Sequence, residues 1–335
     1  MELTREVKEL VLANNIDYVG VAPVERFKYA PKGHKPTDLL PGARSVVSIG
    51  IRMVRGSILT QRRALANPEL RHISLCYRWG SYGMLNRHFL DPAALKLARF
   101  LERSGYIAVP QVSSGVDNMS DVVTSASPLS QKHAAVAAGL GEFGWNTLCL
   151  TPDVGPRVRF ASVITTAELE PDPMYDGPSL CDLEKCMELG GGVPVCMRVC
   201  PIQSFNPTKR RTVIIGDKEF KYGVSNYFAC AIVGAGLRRD FLGLTSKSVG
   251  PDDIATWEAD YDADIKAIRK INFSGLVQQI KEDQVPYQRA ESWVFGRSHY
   301  CANCMFRCPV GAPAAIEEIM KREGVENTYG AKPKN

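Results

Sequence analysis

Cys301-Ala-Asn-Cys304-Met-Phe-Arg-Cys308-Pro309 is a C-x2-C-x3-C run closed by a proline. A looser set precedes it: Cys181, Cys186, Cys196 and Cys200, followed by Pro201, with Cys230 standing between the two groups. Eight of the ten cysteines therefore fall into two half-motifs, the number that a pair of four-iron clusters needs. Thiolates suit iron because they are soft, charged donors. The proline bars continuation of the tight turn and sets φ at its exit. Zinc could take all-cysteine sites, but structural zinc usually pairs two short C-x2-C knuckles. Disulfides also fit an even count, yet nothing marks the chain for secretion. The spacing favours iron and sulfur, and two clusters make a short wire for single electrons.

The arrangement resembles that of two-cluster ferredoxins, in which the cysteine of each Cys-Pro pair ligates the other cluster. Carried over, that resemblance gives one cluster Cys181, Cys186, Cys196 and Cys308, and the other Cys200, Cys230, Cys301 and Cys304. The first set departs from the compact pattern, with Glu188-Leu-Gly-Gly-Gly-Val-Pro194 reading as a loop inserted between ligands.

At 335 residues the chain is too long for a simple ferredoxin and fits two domains. An apolar content of 45% is ordinary for a protein with a real core. A net charge of +5 is too weak to argue for nucleic acid. Lys209-Arg210-Arg211, just after Pro207, reads as a solvated loop. No apolar stretch approaches the roughly 18 residues of a membrane span, and the N-terminus reads as an amphipathic helix rather than a signal peptide. A cytoplasmic location with no membrane contact is expected.

Upstream of the cysteines, helices and strands alternate. Thr4 can cap a helix that buries Val7, Leu10 and Val11 on one face. Asp17 to Ala22, Ser45 to Ile51, Thr147 to Leu150 and Phe160 to Thr166 read as strands. Helices are expected from Asp91-Pro92 to a stop at Gly105, and from Gln131 to Ala138. Pro171, Pro173, Gly177 and Pro178 mark a boundary, after which helical segments are expected near Val224 to Val233 and Trp257 to Ile271.

Gly139-Leu-Gly141-Glu-Phe-Gly144 satisfies G-x-G-x-x-G, but a dinucleotide fingerprint must follow a strand and open a helix. Here a helix precedes it and a strand-like run follows, so the glycines read instead as places where backbone approaches something flat and bulky. Cys76 and Cys149 are left as buried free thiols, and His133 and Trp145 as packing residues, with Trp145 placed to touch a cofactor.

The stretch from Ala138 through Trp145-Asn-Thr-Leu-Cys-Leu-Thr-Pro-Asp-Val-Gly-Pro-Arg157-Val-Arg159 resembles one in the reductive dehalogenases, and a related version occurs in the epoxyqueuosine reductases. Leu40-Pro-Gly-Ala-Arg-Ser-Val-Val-Ser-Ile49, and Cys230 before a long gap to the final cysteine run, are similar to that superfamily as well. The resemblance implies an α+β fold: a nitroreductase-like cobalamin-binding domain over 1–170 and a ferredoxin-like domain with two [4Fe-4S] clusters over 171–335, the latter with a helical insertion at about 205–295. It implies Gly139, Gly141, Gly144, Trp145 and Pro128 beside cobalamin, which is base-off since the chain has no D-x-H-x-x-G to offer a lower axial histidine. It implies a tyrosine proton donor with a basic neighbour. Tyr82 matches best and Tyr77 next, with Arg157 or Arg159 as the partner; Arg157 is the one carried forward as catalytic.

The function expected is a cobalamin-dependent, iron–sulfur-fed reductase acting on a small organic substrate by dehalogenation or a related bond reduction. Its electron donor would be of low potential, such as ferredoxin or flavodoxin, and a homodimer is compatible with the chain. The rival readings are a corrinoid-reducing or electron-transfer protein without substrate chemistry, and a cluster protein that has lost cobalamin. Ser125 or Ala126 stands where epoxyqueuosine reductases carry an acid, and their helical-repeat extension is missing, which argues against a tRNA substrate. The lack of a twin-arginine leader argues against export.

Overall fold

Ser45-Val-Val-Ser-Ile-Gly-Ile51 offers no charged side chain to water on either face, which suits a strand covered on both sides. The computed structural model, which describes residues 1–113, 128–200, 204–225, 230 and 302–324, places it there. The first part of the chain runs α1 (Glu2–Leu12), β1 (Tyr18–Pro23), β2 (Ser45–Arg52), α2 (Arg55–Ala66), α3 (Asp91–Arg103), β3 (Ala108–Gln111), α4 (Gln131–Ala137), β4 (Glu142–Phe143), β5 (Cys149–Leu150) and β6 (Val158–Thr165). After it come α5 (Leu183–Leu189), α6 (Val195–Arg198), β7 (Phe205–Ile215), β8 (Lys218–Ser225), α7 (Asn303–Phe306) and α8 (Ala314–Arg322).

Four strands form one sheet in the order β1-β2-β6-β3, antiparallel throughout. Side chains alternate across it, so each strand serves two cores. Val47, Ile49 and Ile51 of β2 and Ala161 and Val163 of β6 pack with Val7 and Val11 of α1 and with Leu97 and Leu101 of α3. Val46, Phe160 and Ile164 belong to the second core, with Ala134 to Ala138 at α4 and with Ile215 and Tyr222 of the β7–β8 hairpin. The protein is thus a mixed α+β structure with its central sheet covered on both faces.

Most of the expected elements are present, and the departures have local causes. Thr4 lies inside α1, whose N-cap is Met1; its Oγ1 accepts instead from the Glu170 amide at 2.9 Å, tying the helix to the segment after β6. The strand expected from Thr147 shrinks to Cys149–Leu150, because Thr147 has φ +65° in a tight turn. Gly105 ends the α3 region with φ +91°, as its sequence suggests.

Residues 205–225, expected within a helical insertion, form the β7–β8 hairpin, and Lys209, Arg210 and Arg211 are strand residues rather than a loop. Charge alone does not distinguish a solvated loop from the exposed side of a strand, and Thr212-Val-Ile-Ile215 has the β-branched content that decides for strand. Pro207 sits where the register shifts, a place that tolerates a missing amide donor. The expected helix over Trp257 to Ile271 lies outside the described residues. Among the described residues no helix is long and apolar enough to cross a membrane.

His133 of α4 packs against the rings of Phe143, at 4.8 Å between centroids, and Tyr222, at 6.2 Å. Its Nδ1 is 2.7 Å from Ser130 Oγ. Burial, followed by the nearby Lys132 and Arg211 charges, pushes its pKa down to about 4. An unfolded histidine titrates near 6.5, so on acidification the unfolded chain takes up the proton first. Stability from this group is complete above about pH 6.5 and is lost as pH falls toward 4, by at most about 1.4 kcal/mol per pH unit. Denaturant titrations of wild type and His133→Gln across that range should show a shallower pH slope in the variant. Equal slopes would exclude His133 as the source.

Candidate metal centre

The thiols of Cys181, Cys186, Cys196 and Cys308 line a single cavity of about 430 Å³. Gly144, Trp145 and Asn146 close one wall, and Pro309 and Val310 another. These are the four cysteines that the ferredoxin-like spacing groups together, brought from positions up to 127 residues apart (308 − 181). Among the described residues no three His, Cys, Asp or Glu side chains converge as the ligands of one metal ion would.

The electrostatics agree with a positively charged occupant. Burial pushes the Cys181 thiol up to about 12 and Cys308 up to about 11, and it raises Cys186 and Cys196 too. Neighbouring thiols add to the rise, so the cavity resists several thiolates by themselves and accepts them once a metal centre neutralises them. Backbone amides are already aimed at the sulfurs. Trp145 N lies 3.2 Å from Cys181 Sγ, and Val195 N lies 3.4 Å from Cys186 Sγ.

The wall nearest Cys181 is the β4–β5 hairpin, where the glycine-rich stretch falls. A Cβ on Gly139 would lie 2.0 Å from the Pro173 carbonyl oxygen, and one on Gly141 would lie 1.8 Å from that of Leu150. These glycines admit the chain's own backbone at close range. Gly144 and Trp145 face the thiol cavity, with Trp145 only 6% exposed, and Pro128 lies at the surface, its carbonyl 3.1 Å from His34 Nδ1.

Of the second ligand set, Cys200, Cys230 and Cys304 are described and Cys301 lies outside the described residues. Ser204 N is 3.2 Å from Cys200 Sγ. Cys230 and Cys304 both lie close enough to Lys132 to act on its charge, while burial lowers the Lys132 pKa. Helices α6 and α7, which carry the ends of the two half-motifs, pack on each other.

The tyrosines meet this region through Phe306, which lies between Cys304 and Cys308 and meets the Tyr77 ring edge-on at 4.8 Å. Arg159 Nη2 donates to the Tyr77 hydroxyl at 2.6 Å, and its guanidinium carbon stands 4.6 Å from the Tyr82 ring centroid. Tyr77 is buried, which raises its pKa against the lowering effect of Arg159. Tyr82 is only partly buried and lies in the π-helical turn Arg78–Gly83. The basic partner of the tyrosines is therefore Arg159. Arg157, expected in that role, is buried elsewhere, with its guanidinium donating to four backbone carbonyls. The two arginines stand two positions apart where β6 begins, and sequence does not show that Arg157, just before the strand, turns away from the tyrosines.

Two contributors were not singled out from sequence. Glu142 Oε1 accepts from Ser179 Oγ at 3.0 Å, from the Cys181 amide at 3.0 Å and from the Leu180 amide. Asn146 Nδ2 donates to the Cys304 carbonyl at 3.1 Å. The available signal was an acid and an amide set among glycines and aromatics. His133 and Trp145 are packed residues as expected; Cys149 is buried, whereas Cys76 is exposed.

An α+β sheet thus carries a cavity lined by four cysteines and, reached through Phe306, a tyrosine–arginine group. No protein-family model matches the chain. It is 25% identical over 177 residues to an epoxyqueuosine reductase of Pseudomonas aeruginosa, covering 53% of this chain and 42% of that protein. It is 36% identical over 123 residues to a tetrachloroethene reductive dehalogenase of Desulfitobacterium hafniense, covering 36% of this chain and 18% of that one. The chain is a relative of the epoxyqueuosine reductases and the reductive dehalogenases, in the superfamily that the two groups share. It spans less than half the length of either curated relative. A solved catabolic reductive dehalogenase aligns with a TM-score of 0.47 at 16% identity, over 78% of this chain and 35% of that one, a likeness too low to bear on the site.

If the glycines serve packing, Gly141→Ala should destabilise the metal-free, cobalamin-free protein by about 1–3 kcal/mol, the usual cost of overpacking. Chemical denaturation of the apo chain checks this. An unchanged midpoint would return Gly141 to a ligand-binding role.

Proposed function

We propose that this chain is an oxidoreductase of that superfamily, one that takes single electrons through two four-iron clusters and delivers them to a small organic substrate beside Tyr82 and Arg159. The observation that carries the reading is the thiol cavity: the four cysteines grouped by the ferredoxin-like spacing line one space of about 430 Å³. Cys181 and Cys186 are half-buried, which suits entry of electrons from a low-potential carrier at this site. Cys304, of the second set, lies near Tyr77, so the second cluster is the one that would face the substrate.

Of the two tyrosines, Tyr82 is the better proton donor. Tyr77 is 1% exposed and its hydroxyl is taken by Arg159, so it holds the arginine in place. Arg159 stands over the Tyr82 ring, 4.6 Å from its centroid, and holds it in place. Base-off cobalamin is implied by the resemblance of residues 138–159. The same resemblance sets Gly139, Gly141, Gly144, Trp145 and Pro128 beside it, and when bound it would supply the low-valent cobalt for the reduction. The position of the epoxyqueuosine reductases' acid, at Ser125 or Ala126, lies outside the described residues, and a modified tRNA base stands as the competing substrate.

Anaerobic reconstitution should load about eight iron atoms per chain, the content of two four-iron clusters. Cys186→Ser and Cys200→Ser should each lose about half of it. Tyr82→Phe should keep the iron and any corrin absorption while turnover of a halogenated substrate, driven by a reduced viologen, falls about 10²–10⁴-fold. An iron-free wild type would defeat the proposal. Unaltered turnover in Tyr82→Phe would remove that tyrosine, and turnover of epoxyqueuosine tRNA alone would replace the small substrate.

A further inference from the structure

Arg157 is 1% exposed, and a guanidinium buried so deeply survives only with its donors satisfied. Its Nη1 donates to the carbonyls of Val154 at 3.2 Å and Val310 at 2.7 Å. Its Nη2 donates to those of Phe306 at 3.0 Å and Cys308 at 2.6 Å. Three of these acceptors belong to the C-terminal cysteine run or its exit. The two backbones touch: a Cβ on Gly155 would lie 2.2 Å from the Val310 oxygen, and one on Gly311 would lie 2.4 Å from the Val154 carbonyl carbon. The Glu142 carboxylate holds the amides of Leu180 and Cys181, two residues that line the same cavity. A fixed cation therefore backs Cys308, and a fixed anion backs Cys181.

We infer that Arg157 and Glu142 are positioning residues that hold two ligand loops of one cluster and set its reduction potential in opposite directions. This rests on the reading that the four thiols hold an iron–sulfur cluster. On reduction the cluster gains one electron from an external low-potential donor, which is oxidised, and no bond need form or break. The Arg157 charge stabilises the more negative, reduced cluster, and the Glu142 carboxylate opposes it, with little solvent between to screen either.

The test is an EPR-monitored redox titration of the reconstituted full chain, with the signal of this site assigned as the one lost in Cys186→Ser. Arg157→Gln should make the midpoint more negative and Glu142→Gln more positive, each on the order of tenfold in the one-electron equilibrium, about 59 mV. Arg157→Lys keeps the charge but not the planar fork, so it should stay nearer the wild-type potential while binding less iron. Should Arg157→Gln fail to fold, Glu142→Gln, which is isosteric and still an acceptor, decides together with Arg157→Lys. Potentials that do not move in the neutralised variants, or that move in the same direction, overturn the inference. A wild-type chain that takes up no iron overturns instead the reading on which it rests.

Discussion

The Arg157 guanidinium donates to the Val154, Phe306, Cys308 and Val310 carbonyls, and through those bonds the end of the described chain is attached to the central sheet. The last cysteine run is short and makes few apolar contacts of its own beyond Met305 and Phe306. A buried arginine compensates, because each bond from a charged donor to a buried carbonyl is stronger than a neutral one. Arg62, also buried, adds a second attachment by pairing with Glu317 of α8. With both in place, Cys308 comes to rest in the same cavity as cysteines that precede it by more than a hundred residues.

That cavity stores an electrostatic conflict. Four thiols in an apolar enclosure prefer to stay protonated, as the raised pKa values of Cys181 and Cys308 show. Amides directed at Cys181 and Cys186 favour the opposite state. A positively charged occupant would lower the cost of charge on these thiols. The same construction continues toward Tyr77, since Phe306 belongs both to the cysteine run and to the core beneath the tyrosines.

Much of the framework was legible along the chain. Strands β1, β2 and β6 and helices α1, α3 and α4 follow from apolar periodicity and turn residues, which are local properties, whereas the edge strand β3 was not foreseen. The hairpin at 205–225 was missed because a Lys-Arg-Arg run suits an exposed strand as well as a loop. The glycine motif was recognised as ill-suited to a dinucleotide, but its packing against the chain's own backbone was not foreseen. The atoms that demand glycine there are carbonyls of Pro173 and Leu150, and no spacing rule reports such contacts.

Sequence by itself showed that eight of the ten cysteines fall into two half-motifs, since ligand spacing is a property of the covalent chain. The resemblance to two-cluster ferredoxins supplied their grouping into four and four, and the family likeness narrowed the tyrosine's partner to Arg157 or Arg159. Only the tertiary structure decided between them: Arg159 reaches Tyr77 and Tyr82, while Arg157 turns to the carbonyls of the cysteine run. The reason is physical. A charge placed in a core takes whichever acceptors the fold brings to it, and those acceptors come from segments about 150 residues away.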